Sequence, residues 1–360
     1  MENYIQFQLL VNSAIKVTKM LTSKNLLAVA IICLCLNNAN TVFGKDVGVV
    51  LSKIPGSNQA VVPQKKNAVA NFEQGTNLYK QGDLKGAEAA FRKAIELEPN
   101  FAQAYIALAN TLNDQGKPQQ AIAQYNKVIS FDPKDSGAYL NLGLTLAKLN
   151  QLEAAIAQYK KALSLDPNYA DVHYNLGNAL YAQGKPAEAV AEYTATIRLD
   201  PKNPAGYNAL GNTLYAQGKL EEAIAQYKQA ISFDRNYVDA HYNLASAFYA
   251  QGKLTEAIAD YTEAIRLDPK HAQAHTGLAN AMDDQGKSEE AIAHYKKAIS
   301  LVPNDAYTYY NLGITLGREQ QLEEAMVNLK KAKELFQAEK NKEMVEQVDQ
   351  LIQKINPRTN

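Results

Sequence analysis

Six prolines of this 360-residue chain lie on one grid of 34 residues, and this spacing constrains the possible fold more than any other feature. Proline ends a helix because its ring clashes with the preceding turn and its nitrogen carries no proton. Glycines follow the same grid at a constant offset, and glycine readily adopts the left-handed conformation in which many helices stop. Two helix ends in every 34 residues predict a repeated helix–turn–helix module. The prolines are Pro99, Pro133, Pro167, Pro201, Pro269 and Pro303, with Arg235 in the missing position, and the glycines are Gly82, Gly116, Gly184, Gly218, Gly252 and Gly286, with Asn150 filling one gap.

The segments on either side of each glycine carry apolar residues at helical period, so each module should form two packed helices. One hairpin cannot bury its apolar face alone, so the hairpins should stack and the last one should need a closing helix. An apolar stripe that includes Met344, Val348 and Leu351 predicts such a capping helix within residues 340–356. We number positions 1–34 within eight repeats, which span residues 68–101, 102–135, 136–169, 170–203, 204–237, 238–271, 272–305 and 306–339.

The pattern within each module resembles the tetratricopeptide repeat, which has an aromatic residue at position 4, Leu at 7, Gly or Ala at 8, Ala at 20, an aromatic residue at 24 and Pro at 32. The resemblance covers residues 68–339. It implies an all-α fold, namely a right-handed α-solenoid of about eight repeats with a C-terminal capping helix, whose first helices line a concave groove for partners. The third repeat carries the motif at Tyr139, Leu142, Gly143, Ala155, Tyr159 and Pro167.

Several positions of the repeat predict local structure. Small residues at position 8 should let the two helices of a hairpin approach closely, and larger ones there should cost about 1–3 kcal/mol by overpacking. Asn150 tolerates the left-handed turn conformation, whereas Gln320 does not adopt it easily, so the last turn should be less tight. Arg235 replaces a helix-ending proline, so the second helix of the fifth repeat should end less sharply.

An apolar run at residues 26–36 follows several lysines and precedes a polar stretch. A membrane-spanning helix needs about 20 apolar residues, so a run this short is typical of a signal peptide. We predict that residues 1–44 are a signal peptide, with Met20 as an alternative start, and that the protein is exported to a periplasmic, lumenal or extracellular space. The alternative is a membrane anchor at residues 26–36. Residues 45–67 lack helical period and are predicted as a flexible linker.

Charge and cysteine content limit the classes of partner. The chain has 37 basic and 37 acidic side chains, so it lacks the positive field that attracts nucleic acid or anionic lipid. We expect no nucleic-acid partner, and membrane contact only through an uncleaved N-terminal segment. Cys33 and Cys35 both lie in the apolar run, so a mature chain without cysteine would suit an oxidising compartment.

Asparagine recurs at positions that the resemblance places on the groove. It is a poor helix former, and its amide can both donate to and accept from an extended peptide backbone. The series resembles the asparagine ladder of some peptide-binding arrays; alternatively, the amides join neighbouring helices. Position 9 of one repeat and position 6 of the next hold Asn110 with Asn141, Asn212 with Asn243, and Asn280 with Asn311, while Asn175 and Asn178 lie on one helix.

Tyrosines recur at groove positions 5 and 12. Aromatic faces suit a binding surface, although the same rings could instead pack between hairpins. Asp114, Asp283 and Asp284 should make the two ends of the groove mildly acidic and favour basic ligand segments. The tyrosines are Tyr174 and Tyr242 at position 5, and Tyr181, Tyr215 and Tyr249 at position 12.

The sequence contains no recognisable pattern of catalytic or metal-binding residues. Gly177 and Gly184 are separated by six residues, whereas a phosphate-binding loop needs four. His173, His241 and His275 occupy the aromatic position 4, where they should pack rather than bind a metal. We therefore expect no cofactor, no metal and no enzymatic activity.

The sequence thus predicts a non-catalytic scaffold that binds a peptide or segment of a partner protein in the groove. Two alternatives remain. One is a structural protein that assembles with itself, and the other is an accessory subunit of an enzyme complex, because the repeat half of protein glycosyltransferases resembles this array. The partner is not named by the sequence, since one scaffold serves unrelated ligands.

Overall fold

A computed structural model describes residues 63–355 of the chain. These residues form two compact bodies, which we call the first body (63–201) and the second body (202–355). All regular structure within residues 63–355 is helical, and no strand occurs there. The predicted signal peptide (1–44), the alternative anchor (26–36) and most of the predicted linker lie outside the described residues.

The first body consists of helical hairpins, each with a first helix and a second helix joined by a short turn. Its first helix begins at Pro63, so residues 63–67, which the sequence analysis assigned to the linker, are helical. The hairpins are α1 (Pro63–Lys80) with α2 (Leu84–Leu97), α3 (Ala102–Asp114) with α4 (Pro118–Phe131), α5 (Ser136–Lys148) with α6 (Leu152–Leu165), and α7 (Ala170–Ala182) with α8 (Pro186–Leu199).

The second body continues the same pattern and ends with an additional helix. The all-α architecture of stacked hairpins that the sequence predicts for an α-solenoid is therefore present in each body. The hairpins are α9 (Pro204–Ala216) with α10 (Leu220–Phe233), α11 (Val238–Ala250) with α12 (Leu254–Leu267), α13 (Ala272–Asp284) with α14 (Ser288–Leu301), and α15 (Ala306–Arg318) with α16 (Leu322–Ala338), followed by α17 (Lys342–Ile355).

Successive hairpins within a body pack mainly through the second helix of one and the first helix of the next. Thus α4 packs on α5 in the first body, and α12 packs on α13 in the second. The first helices of neighbouring hairpins also touch, as α5 touches α7 and α9 touches α11. In each body the first helices therefore form one continuous layer.

Where position 24 is aromatic and position 8 is glycine, the glycine lies against the aromatic ring of the same hairpin. A methyl group added to Gly211 would lie 2.6 Å from Cε1 of Tyr227, and one added to Gly143 would lie 2.5 Å from Cε1 of Tyr159. Both tyrosine rings are almost completely buried. Because carbon atoms at such distances repel, the missing side chain is what allows ring and first helix to meet.

Each hairpin turn contains one residue in the left-handed conformation. The turn glycines have φ between 73° and 85°, and Asn150 has φ 59°. Gln320 also has φ 63°, and its turn closes through a hydrogen bond of 2.9 Å from the nitrogen of Gln321 to the carbonyl of Leu316. The prediction of a less tight last turn was therefore wrong, because the backbone hydrogen bonds and helix packing impose a conformation that the Gln320 side chain disfavours.

The expectation of a less sharp end at Arg235 was also wrong. Helix α10 ends at Phe233, and Asp234 caps it with φ −133° and ψ 99°. Asp166, which stands before Pro167, has nearly the same values, φ −134° and ψ 93°. An extended residue at position 31 therefore ends the second helix whether or not proline follows.

The last helix closes the second body. Met344, Val348 and Leu351 of α17 are buried in one cluster with Tyr310 and Phe336 of the last hairpin. This burial provides the apolar closure that a stack of hairpins requires. None of the helices between residues 63 and 355 combines the length and apolarity needed to cross a bilayer.

Candidate functional site

The first helices present a polar surface with few charges in each body. Helix α9 has no charged residue at all. We call the surface formed by positions 6, 9, 12 and 13 of α3, α5 and α7 in the first body, and of α9, α11, α13 and α15 in the second, the first-helix surface. The charged residues of these helices are Asp114, Lys148 and Asp171 in the first body, and Asp239, Asp283, Asp284 and Arg318 in the second.

The asparagines at position 9 are held by the tyrosine at position 24 of the same hairpin. In four hairpins the tyrosine hydroxyl donates a hydrogen bond to the side-chain oxygen Oδ1 of the asparagine. Because the tyrosine ring is buried between the two helices, this bond ties the first helix to the second; we call it the Tyr–Asn lock. The pairs are Asn110 with Tyr125 (2.6 Å), Asn178 with Tyr193 (2.7 Å), Asn212 with Tyr227 (2.8 Å) and Asn280 with Tyr295 (2.7 Å).

In every hairpin but one that has a tyrosine at position 24, position 9 is a polar residue that can bond to the tyrosine hydroxyl. Ser246 takes the place of asparagine in the sixth repeat, and its Oγ lies 3.0 Å from the hydroxyl of Tyr261. The third repeat is the exception, with Leu144 at position 9 of the Tyr159 hairpin. Part of the reason for asparagine on these helices is therefore structural, which supports the alternative that the sequence left open.

In the Tyr–Asn lock, Oδ1 of each asparagine accepts the hydrogen bond, and the amide nitrogen Nδ2 takes no part. Within residues 63–355 the Nδ2 atoms of Asn110, Asn178, Asn212 and Asn280 have no hydrogen-bond partner. None of the four is among the buried polar atoms that lack a partner, so solvent reaches them. Each locked asparagine therefore offers N–H donors to a ligand while its oxygen is already bonded.

The structure brings together one of the three asparagine pairs that the sequence aligned. Asn311 donates from Nδ2 to Oδ1 of Asn280 at 3.0 Å. Asn243 instead donates to Oδ1 of Asn208, also at 3.0 Å, and not to Asn212. Asn110 is bonded to its own hairpin rather than to Asn141. Two of these amides thus join neighbouring first helices, one of them in a predicted pair.

Asn141 and Asn175 differ from the locked asparagines. Asn175 is buried, and its Nδ2 donates to the backbone carbonyl of Asp171 at 2.7 Å within the same helix. Asn141 is half-buried, and its backbone carbonyl accepts a hydrogen bond from Thr145. Asn175 therefore has its amide donor occupied, whereas Asn141 belongs to the first-helix surface.

The predicted tyrosines divide into two groups. Tyr174 and Tyr242 at position 5 pack inside the hairpins, with ring centroids 6.0 Å from Tyr193 and 5.9 Å from Tyr261, respectively. Burial raises the pKa of Tyr242 to about 12. The position-12 residues Tyr181, Tyr215 and Tyr249 are half-buried and lie on the first-helix surface. Of the predicted tyrosines, those at position 12 therefore belong to the first-helix surface, whereas those at position 5 pack against the second helix of their hairpin.

The acidic residues at the ends of the series are bonded to side chains of neighbouring first helices. Asp283 forms an ion pair with Arg318 of the next first helix. The hydroxyl of Tyr249 donates to Asp284 at 2.8 Å, and that of Tyr79 donates to Asp114. Burial and the Asp284 charge raise the pKa of Tyr249. These contacts weaken the expected preference for basic segments, because the carboxylates already serve to join adjacent first helices.

Family models match the chain over the same residues that form the hairpins. A model described as TPR repeat matches residues 145–184, 177–218 and 211–252. Two models described as tetratricopeptide repeat match residues 72–136 and 242–306, and residues 124–157 and 294–326. Together the matches run from residue 72 to residue 326 without a gap. The chain belongs to the tetratricopeptide-repeat family. Its predicted signal peptide is outside all of these matches.

Solved structures of other proteins share the fold. The crystal structure of the APC/C hetero-tetramer Cut9-Hcn1 matches 82% of this chain with a TM-score of 0.58 and 16% identity, and the match spans only 57% of that protein. A tetratricopeptide repeat protein from Parabacteroides merdae matches 70% of this chain and 99% of its own, with a TM-score of 0.55 and 20% identity. Pseudomonas aeruginosa pilF matches 58% of this chain and 95% of its own, with a TM-score of 0.52 and 22% identity. No curated protein sequence matches this chain.

The tetratricopeptide hairpins contain a second contact, which the sequence analysis overlooked. The histidines at position 4 bond to the residue at position 23 of the same hairpin. Nδ1 of His173 lies 2.6 Å from Glu192, and Nδ1 of His241 lies 3.0 Å from Asp260. A comparison of positions 4 and 23 across the repeats would have revealed it, because tyrosine at position 4 goes with an amide at position 23 and histidine goes with an ionisable group.

The histidines at position 4 pack within their own hairpins. Within residues 63–355 no cluster of three or more His, Cys, Asp or Glu side chains is arranged to hold a metal ion. The position-4 histidines use both ring nitrogens for contacts inside the protein.

Proposed function

We propose that the chain is a non-catalytic scaffold whose first-helix surface binds an extended segment of a partner protein. Tetratricopeptide proteins bind protein or peptide partners, and the sequence of this chain carries no catalytic motif. The observation that supports the proposal most is the pair of locked asparagines in each body, whose Nδ2 donors have no partner within residues 63–355. Such donors call for a ligand that presents acceptors at regular intervals.

The chemistry of this surface favours a peptide backbone as that ligand. Backbone carbonyls are neutral acceptors with two lone pairs, and an extended segment presents them regularly. The first helices carry few charges, so neither an acidic nor a basic partner gains much from them. A segment rich in uncharged residues is therefore the proposed ligand, with its carbonyl oxygens on the Nδ2 groups.

Hydrogen bonds to the asparagines alone would not offset the free-energy cost of association, so binding requires the tyrosines as well. A hydrogen bond between neutral groups contributes about 1 kcal/mol net, whereas association costs about 4–15 kcal/mol. In the second body the position-12 rings Tyr215 and Tyr249 are half-buried on the same surface as Asn212 and Asn280. Apolar contact with such rings would contribute the remainder, so the partner should carry apolar side chains between its bonded carbonyls.

A crosslinking pull-down with a matched pair of variants tests this function. In the variant with Asn212→Asp and Asn280→Asp, each side chain keeps an oxygen for its tyrosine but replaces the N–H donor by a second acceptor. The hairpins should remain folded by circular dichroism, and recovery of the partner should fall about tenfold or more, since donors become repelling acceptors. The control combines Asn236→Asp with Asn304→Asp, which adds the same two charges at exposed turn positions.

An unchanged set of crosslinked proteins in the double variant would contradict binding through these donors. Size-exclusion chromatography of the full chain distinguishes self-assembly, because a scaffold for other proteins should elute as a monomer when purified alone. Concentration-dependent oligomers that the double variant abolishes would instead assign the surface to a second copy of the chain.

We also propose that the protein is exported, with residues 1–44 removed. The apolar run at 26–36 supports this proposal. Mass spectrometry of the protein from its native cell should find an N-terminus near residue 45 and no trace of the segment before it. Recovery of intact residues 1–44 on protein in the cytosol would exclude the proposal, and recovery of an intact chain from the membrane fraction would favour the anchor.

A further inference from the structure

The residues at positions 4 and 23 combine in two ways along the chain. Where position 4 is tyrosine, position 23 is glutamine or asparagine, and where position 4 is histidine, position 23 is ionisable. The histidine form therefore changes charge between mild acid and neutral pH, whereas the tyrosine form does not. The tyrosine pairs are Tyr105 with Gln124, Tyr139 with Gln158, Tyr207 with Gln226 and Tyr309 with Asn328.

The seventh repeat is special because both partners are histidines. Nδ1 of His275 lies 3.0 Å from Nδ1 of His294, and the two rings stack with centroids 5.3 Å apart. Nε2 of His275 lies 3.3 Å from the carbonyl oxygen of Pro269, so Nε2 carries the proton and donates it. Nδ1 of His275 is then the acceptor, and Nδ1 of His294 is the donor.

This proton arrangement tolerates one additional proton but not two. A proton on Nε2 of His294 leaves the bond between the Nδ1 atoms intact. A second proton must go to Nδ1 of His275, where it faces the N–H of His294 across 3.0 Å. Two like charges and two opposed donors then replace a hydrogen bond, so the contact has to open.

The other histidine contacts have the opposite requirement. His241 donates from Nε2 to the carbonyl of Arg235 at 3.2 Å and meets the carboxylate of Asp260 with Nδ1. Both nitrogens face acceptors, so this contact is complete only when the imidazole is protonated. The hydrogen bond to Asp260 accordingly raises the pKa of His241.

We propose that the His275–His294 contact is an acid-sensitive contact whose opening releases the α13–α14 hairpin of the second body, while the His241–Asp260 contact keeps the preceding hairpin closed. A fall in pH therefore opens the α13–α14 hairpin but not the α11–α12 hairpin. If the proposed function holds, acid also disturbs the position of Asn280, which lies on α13, so partner release would follow. The acid-sensitive His275–His294 contact itself does not depend on that function.

The groups around the pair support opening below neutral pH. Burial is the main cause that lowers the pKa of both His275 and His294. Lys297 of α14 and His271 at the start of α13 lower the pKa of His275 further, and Asp268, which caps α12, opposes them. For His294, the charge of His275 adds to burial, and Glu290 of α14 opposes it.

The sign of the pH dependence follows from linkage. A histidine whose pKa is lower in the folded state binds fewer protons than in the unfolded state, so stability falls as the pH decreases below the ordinary value of about 6.5. A histidine whose pKa is raised behaves in the opposite way and loses its contribution as the pH rises. The α13–α14 hairpin should therefore weaken in acid, and the α11–α12 hairpin should not.

Hydrogen exchange of the full chain, followed by mass spectrometry of peptides and corrected for intrinsic rates, tests the proposal. Between about pH 7.5 and about pH 5, protection of α13 and α14 should fall about tenfold or more relative to α9 and α10, where Tyr207 and Gln226 at the same positions do not titrate in this range. Nitrogen chemical shifts of the two imidazoles at neutral pH should show Nε2–H on His275 and Nδ1–H on His294.

Two variants distinguish opening of the His275–His294 contact from a general loss of stability in acid. His275→Tyr combined with His294→Gln installs the pair of the fifth repeat, and it should abolish the selective loss of protection in acid. His294→Asp installs the pair of the sixth repeat, and protection of α13 and α14 should then increase in acid. A selective loss that persists in both variants would overturn the proposal, and so would uniform loss across the second body in the unaltered chain.

Discussion

Replacing Tyr227 by Phe should loosen the α9–α10 hairpin, whereas the same replacement at Tyr159 should have little effect. Both rings are almost completely buried against a glycine of the first helix. The hydroxyl of Tyr227 donates to Asn212 at 2.8 Å, but position 9 of the Tyr159 hairpin is Leu144. The two substitutions therefore remove the same atom from the same packing, once with and once without the Tyr–Asn lock.

The magnitude follows from the character of this bond. A hydrogen bond between neutral partners contributes about 0.5–1.5 kcal/mol net, and a buried group left without a partner costs more. Asn212 is half-buried, so water can replace the lost hydroxyl at its oxygen, and we expect about 1 kcal/mol for Tyr227→Phe. Tyr159→Phe should stay within about 0.5 kcal/mol, because the change leaves no buried acceptor behind.

Peptide-resolved hydrogen exchange is the appropriate assay, because stacked hairpins open locally as well as together. A loss of 1 kcal/mol corresponds to about fivefold faster exchange in α9 and α10. The double-mutant cycle with Asn212→Ala should recover a coupling of about 1 kcal/mol. Equal effects of the two Tyr→Phe changes, or a coupling near zero, would refute the conclusion that the lock stabilises the hairpin.

Three further predictions concern the turns, the helix contact and pH. Gln320→Gly should stabilise the last hairpin by about 0.5–1 kcal/mol in thermal or hydrogen-exchange measurements, since φ 63° disfavours a side chain, while Gly218→Ala at φ 76° should destabilise its hairpin by about 1 kcal/mol. Gly211→Leu should cost about 1–3 kcal/mol by exchange of α9 and α10, because even a methyl group at this residue meets the tyrosine ring at 2.6 Å. The pKa of His241 is raised mainly by its hydrogen bond to Asp260, so Asp260→Asn should cost about 1 kcal/mol below about pH 6 and progressively less as the pH rises; a loss independent of pH would contradict this assignment.

The hairpins could be predicted because their signals are local. Gly116 and Pro133 lie where the chain turns or a helix stops, so the second repeat is recognisable from its sequence alone. The helix starts at Ala102 and Ser136 coincide with the boundaries chosen from the spacing. Local signals failed at Gln320 and Arg235, where hydrogen bonds and packing of the hairpin fix the backbone regardless of the side chain.

The candidate site was predictable only in outline. Asn212 and Asn280 could be placed on the first helices from their positions, but the tyrosine that holds each oxygen lies 15 residues away on another helix. The same holds for His275, whose partner His294 is 19 residues distant. Which atom of an amide is bonded, and which nitrogen of an imidazole carries a proton, depends on neighbours that meet only after the hairpin closes.

Sequence alone determined that the chain folds into repeated two-helix modules, because helix ends and apolar period are encoded in residues a few positions apart. Tertiary packing decided which polar side chains stay available to a partner. Tyrosine hydroxyls occupy the oxygens of four asparagines, and carboxylates or a second imidazole occupy the histidines. A hydrogen bond needs its two atoms within about 3 Å in a set orientation, and only the packed hairpins bring residues from different helices so close.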